Sequence, residues 1–226
     1  MVGVLSNKIQ KDELKPGDHI YSWRHSYIYA HHASGIYVGN GTVIHFTRGP
    51  GQEIGTGTVL DRFIFSSSPS DPSKPPCPIC GDQSKSDGVI SSCLECFLYG
   101  GELYLFQYSV SPAMFLAKAR GGTCTLAPSD PPEDVLHRAE YLLQNGFGAY
   151  NIFKNNCEDL AIYCKTAVGC GIYCISRIVS DIGVRRDVMK IPVERLVTHS
   201  RSDKSEAATE TPNEDLSVQT GSDCYG

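Results

Sequence analysis

The spacing of hydrophobic positions changes along this chain, and the change separates two kinds of element. From His19 to Trp23, and again from Gly35 to Phe46, aromatic and β-branched residues form short runs bounded by turn residues, which predicts strands. Leu14-Lys15-Pro16-Gly17-Asp18 supplies the turn before the first run. Gly39-Asn40-Gly41 divides the second run into a hairpin. Further strands are predicted at Val59 to Phe65 and Leu103 to Tyr108, on either side of a Ser/Pro linker that begins at residue 66. Beyond residue 130 the period becomes helical. Val135, Ala139, Leu142 and Leu143 share one face of a helix that opens with a capping-box pattern at Asp130-Pro131-Pro132-Glu133 and stops before Gly146. His137 falls off that face and is assigned to solvent. A second helix begins at Asn155-Asn156-Cys157-Glu158-Asp159, where either asparagine can cap and Leu160, Ala161, Cys164 and Val168 line the buried face. Residues 182–197 predict a final strand or short helix, and residues 199–226 are polar and acidic enough to read as a disordered tail.

Composition narrows the function. The 226 residues are 41% hydrophobic, enough for a substantial core, and the net charge of −5 without a basic stretch argues against nucleic-acid binding. Residues 1–14 lack the apolar segment of a signal peptide, so the expected compartment is the cytoplasm and the chain is not read as secreted. The ten cysteines then point to metal or catalysis rather than disulfides. Cys77-Pro78-Ile79-Cys80 and Cys93-Leu94-Glu95-Cys96 are two CxxC pairs twelve residues apart. Each pair can form a knuckle offering two thiolates to one tetrahedral ion, so Cys77, Cys80, Cys93 and Cys96 are expected to hold a structural zinc. Four sulfur ligands leave no open position for chemistry. No cofactor is expected for catalysis.

Cys157 is the candidate for chemistry. It lies on the buried face at the positive end of its helix, where a thiol ionises more readily. A cysteine nucleophile needs a base to take its proton and a polar group to orient that base. His31, His32 and His45 flank the hairpin upstream and can supply both.

These residues carry a resemblance. His31-His32 ahead of Gly35-Ile36-Tyr37-Val38-Gly39, then Val43-Ile44-His45-Phe46, then Asn156-Cys157-Glu158-Asp159 resemble the lecithin retinol acyltransferase family, in particular its plant branch of NC-domain proteins. The resemblance implies an α+β, circularly permuted papain-like fold over residues 12–198, an antiparallel sheet plus helices. The Ser/Pro linker and a small zinc-ribbon-like four-cysteine insertion occupy residues 66–101 within it. It also implies thiol acyl chemistry on phospholipid or related lipid esters: Cys157 as nucleophile, the first histidine as base, His45 as orienting group. Peripheral contact with a membrane comes with that substrate.

Two features depart from the family pattern. The histidine usually stands two positions before the glycine of Gly-Ile-Tyr, and here that position is Ala33. A regular strand would place the base about two residue steps too far along, roughly 7 Å, so the Ala33-Ser34 insertion must bulge out for catalysis to survive. A three-residue loop at Gly39-Asn40-Gly41 puts His45 opposite Gly35 and favours His31 as base, whereas a two-residue loop favours His32. The second departure is the short link from Thr166-Ala167-Val168-Gly169 to Ile172, where plant relatives carry a longer apolar stretch.

Overall fold

A computed structural model describes residues 7–25, 30–48, 75–81, 83, 86–117, 123–151, 155–169, 179–180, 183–184 and 189–197. The expected strand at Val59 to Phe65, most of the Ser/Pro linker and the acidic tail lie outside the described residues.

The strand-forming runs become one antiparallel sheet. Strands β1 (His19–His25), β2 (Ala30–Gly39), β3 (Thr42–Thr47), β4 (Gly88–Cys93) and β5 (Tyr104–Leu105) lie in the order β4-β3-β2-β1-β5. The β2–β3 turn uses Asn40 and Gly41, both at positive φ (50° and 69°), the backbone that a tight hairpin demands and that Asn-Gly tolerates. Gly39 pairs with Thr42, but a bulge between Tyr37 and Gly39 shifts the register, so Gly35 opposes His45. A two-residue loop therefore produces the register expected of a three-residue one.

Successive side chains on a strand point to opposite faces, and the two faces are covered differently. Ile36, Ile44 and Phe46 pack with α3 (Pro132–Asn145) through Val135, Ala139 and Leu142, and with α4 (Cys157–Thr166) through Leu160, Ala161 and Tyr163. Ile20, Ala33 and Val43 pack with Leu94, Phe97 and Leu98 of α1 (Leu94–Leu98) and with Leu103, and the short helix α2 (Pro112–Ala117) follows. The stretch between the CxxC pairs thus supplies an edge strand of the main sheet, and the second pair opens a helix of its core.

The α3 helix spans its predicted range and leaves His137 exposed. Its start differs from expectation: Pro131 is the N-cap and makes no side-chain cap hydrogen bond. Asp130 is drawn instead to Arg138, whose Nη2 donates to the carboxylate at 2.9 Å while Nε donates to the Cys164 carbonyl at 2.8 Å. The α4 helix is buried nearly all round, with Asp159, Ile162 and Tyr163 inside as well as the expected face. It also ends earlier than its apolar period suggests. Ala167 takes the left-handed conformation, and Val168 opens the short strand β6 (Val168–Gly169), paired with β9 (Met189–Lys190), while β7 (Val179–Ser180) and β8 (Gly183–Val184) pair with each other. The segment ends in a helical turn at 193–197, so the final stretch holds both a strand and a helix.

Candidate thiol site and four-cysteine cluster

Cys157 is held by the residues on either side of it. Asn156 is the N-cap of α4: its Oδ1 accepts the Glu158 and Asp159 N–H groups at 2.8 and 3.3 Å, and Asp159 Oδ2 accepts the Asn156 N–H at 2.9 Å. This reciprocal pair is a capping box, with aspartate in the place of glutamate. Asn155 is buried and donates to the Phe147 and Ala149 carbonyls at 2.9 and 3.0 Å, fastening the loop ahead of the helix.

The sheet opens where the thiol arrives. Tyr37 N–H donates toward the β1 side, to Asp18 O, so the N–H groups of Ser34 and Ile36 point toward β3. Pairing of β2 with β3 stops at Gly35 and His45, while Phe46 and Thr47 continue only with β4. At the next step the Ser34 N–H hydrogen-bonds the Cys157 thiol, as does the Glu158 N–H. Cys157 therefore occupies the mouth of the split between β2 and β3, one residue from the partner of His45.

The expectation of an easily ionised thiol is corrected here. Burial pushes the Cys157 thiol up to about 11, Glu158 and Asp159 add to the shift, and the two N–H donors oppose it. Desolvation and two neighbouring carboxylates outweigh the helix dipole. The resting group is S–H.

His45 is buried on β3. Its ring lies edge-on to Phe97 of α1, with centroids 5.3 Å apart, and Nε2 is 2.7 Å from Ser92 Oγ. The histidine pair is described through its backbone alone. His31 and His32 oppose Arg24 and Trp23 in an unbroken antiparallel ladder that runs from His25/Ala30 to His19/Ile36. The bulge expected at Ala33-Ser34 does not form. Ala33 and Ser34 pair regularly with Ser22 and Tyr21, and both are buried. Ala33 thus holds the position two before Gly35. His31 keeps the two-residue parity of Gly35 and lies four positions from it.

The four cysteines come together as their spacing predicts, with all four sulfurs within 4.8 Å of one another. Cys93 Sγ is 3.7 Å from both Cys77 Sγ and Cys80 Sγ. A zinc–sulfur bond of about 2.3 Å implies a tetrahedral edge of about 3.8 Å, so the donor set fits one such ion. Each knuckle turns an N–H toward its first sulfur, Ile79 N–H to Cys77 and Cys96 N–H to Cys93, both at 3.5 Å. Cys93 is at once a cluster member, the end of β4 and the N-cap of α1.

Sequence reasoning missed the groups around His45. Ser92 Oγ donates to Gln83 Oε1 at 2.6 Å, and Gln83 Nε2 donates to the Ser91 carbonyl at 2.6 Å. Polar residues between the paired cysteines carry no periodic signal, and Ser92 stands 47 positions from His45. A cavity of about 490 Å³ lined by Asp18, His19, Tyr108, Met114 and Lys165 lies at the other end of α4. Lys165 follows Cys157 by eight residues, about 12 Å at helical rise, so the cavity is separate from the thiol.

The model of the family "Lecithin retinol acyltransferase" matches residues 12–169. The chain is also similar to Protein LEAD-SENSITIVE 1 of Arabidopsis thaliana, 52% identical over 238 residues, covering 86% of this chain and 90% of that protein.

Proposed function

Because the chain belongs to the lecithin retinol acyltransferase family, we propose that it is a thiol-dependent acyl hydrolase or acyltransferase acting on phospholipid or related lipid esters. The observation that carries this reading is the placement of Cys157. A buried thiol stands at a capped helix start, at the split between two strands, with the Ser34 and Glu158 N–H groups directed at its sulfur. Those donors stabilise the sulfur as it becomes negative.

In this reading the base takes the Cys157 proton as Sγ attacks the ester carbonyl. The tetrahedral intermediate collapses to a thioester, and the alcohol leaves with the proton. Water or an acceptor hydroxyl or amine then attacks the thioester and releases the acyl group, restoring the S–H. A thiol that rests protonated needs this base only at the moment of attack, which also keeps it from stray alkylation. The base comes from the His31-His32 pair. His31 is preferred by strand parity, because the register sets His45 opposite Gly35; with Ala33-Ser34 paired regularly, it must be carried about two residue steps, roughly 7 Å, to reach the family's position. His45 is the orienting group. The order of histidine strands before cysteine helix is that of a circularly permuted papain-like chain. The substrate implies peripheral contact with a membrane. No helix among the described residues is long and apolar enough to cross one.

The four cysteines are proposed to bind a structural zinc that staples β4 and α1 to the sheet. When bound, the ion supplies cross-linking and no open coordination position.

The deciding experiment is mass spectrometry of intact protein incubated with a short-chain phospholipid, beside Cys157→Ala. An acyl adduct confined to the unmodified chain supports the reading. Absence of an adduct in folded protein over a panel of lipid esters overturns it and leaves a non-catalytic interaction protein, the outcome to which Ala33 at the family's histidine position would then be traced.

A further inference from the structure

The proton positions around His45 follow from its neighbours. The Ser91 carbonyl can only accept, so the Gln83 group facing it at 2.6 Å is the amide NH₂. Gln83 Oε1 is therefore the atom that faces Ser92, and at 2.6 Å it accepts the Ser92 hydroxyl proton. That proton is the only one Ser92 Oγ has. The 2.7 Å contact between Ser92 Oγ and His45 Nε2 is then a donation from the ring N–H to the hydroxyl oxygen. In the neutral imidazole, a proton on Nε2 leaves Nδ1 as the accepting nitrogen. An orienting group must accept the N–H of the base it holds, so this tautomer is the one the acyl-transfer reading requires.

The source of this constraint is the four-cysteine insertion. Gln83 is three residues past Cys80, and Ser92 immediately precedes Cys93. Phe97, against which the His45 ring is set, immediately follows Cys96. Gln83, Ser92 and Phe97 thus each lie within three residues of a cluster cysteine. We infer that Gln83 and Ser92 are positioning residues that hold His45 as its Nε2–H tautomer, and that the four-cysteine cluster keeps both in place. The inference deepens the acyl-transfer reading and rests on it for the meaning of the tautomer, but the tautomer itself can be read without any acyl donor.

The test uses full-length ¹⁵N-labelled protein loaded with zinc, with long-range proton–nitrogen correlation of the imidazoles and His45→Gln for assignment. The expected signal is a single Nε2–H tautomer at His45. Ser92→Ala is expected to give a mixture of tautomers, and Ser92→Thr, which keeps the hydroxyl, to restore the single form. Cys80→Ser, with metal content measured in parallel, is expected to give the same mixture as Ser92→Ala. In acyl transfer, Ser92→Ala is expected to lower kcat about a hundredfold with KM unchanged, as misorientation of a catalytic group does. An Nδ1–H tautomer in the unmodified protein, or an unchanged spectrum in folded Ser92→Ala, overturns the relay. An unchanged His45 signal in metal-free, folded Cys80→Ser overturns the coupling to the cluster. If no acyl adduct forms while the tautomer behaves as expected, the enzymatic reading fails and the relay stands.

Discussion

Cys157 illustrates how little a residue's type says about its state. A thiol at a helix N-terminus is ordinarily activated, yet this one is pushed up to about 11 because burial and two adjacent carboxylates prevail. Alkylation of Cys157 in the folded protein should therefore gain about tenfold per pH unit from neutrality to about pH 10. Peptide mapping after brief iodoacetamide treatment measures it, and a rate that levels off near pH 7 would contradict the burial argument. Linkage has the same origin. Cys157 and Cys164, raised by burial to about 11 and about 12 from 9.0, bind protons more tightly folded than unfolded. Their contribution to stability is whole below about pH 9 and is lost as pH rises from 9 through 11 and 12, so the urea midpoint should fall over that window. At Gly35 the constraint is space. A Cβ would lie 2.7 Å from Val43 Cγ1 and 3.0 Å from the Ile44 carbonyl. Gly35→Ala should cost about 1–3 kcal/mol in a denaturant titration, because both contacts belong to the β-sheet beside the thiol.

Elements carry the site as much as residues do. The capping box of Asn156 and Asp159 determines where α4 begins, and therefore that the thiol stands on its first residue. Asn156→Ala should lower stability by about 1 kcal/mol and raise the accessibility of Cys157 to small thiol reagents, both measurable on one sample. The hairpin shows what local sequence conveys well. Asn40 and Gly41 form the turn, and the alternating apolar residues settle which strand faces meet. The bulge that finally sets His45 opposite Gly35 was not legible, because it depends on how β2 fits β1 and α4 together. The regular pairing at Ala33-Ser34 has a similar cause. Both residues are buried and paired with β1, and a bulge there would break ladder hydrogen bonds on that side.

At the scale of the whole molecule, two long-range fastenings hold the pieces together. Arg138 joins α3 to the end of α4 through the Cys164 carbonyl and to Asp130, and Lys190 of β9 also reaches Asp130. Removing the guanidinium leaves a largely buried carboxylate and a carbonyl without that donor, so Arg138→Ala should cost about 3 kcal/mol in thermal or chemical unfolding. The four-cysteine cluster is the other fastening. Chelation of the zinc proposed for it should lower the melting temperature and loosen β4 and α1 before the rest, visible as faster amide exchange at residues 88–98.

Local sequence was enough for what depends on neighbours along the chain: the hairpin turn, the two long helices, the exposed His137, the pairing of CxxC motifs and a capped helix start at Cys157. These are governed by backbone preference, periodicity and short-range hydrogen bonds. Tertiary structure alone decided that residues 88–98 join the main sheet and its core, that α4 is buried nearly all round, that Cys157 meets Ser34 at the split between β2 and β3, and that His45 is tied to Ser92 and Gln83. Each of these joins residues far apart in sequence, and each follows from desolvation and packing, which have no signature in the spacing of any one segment.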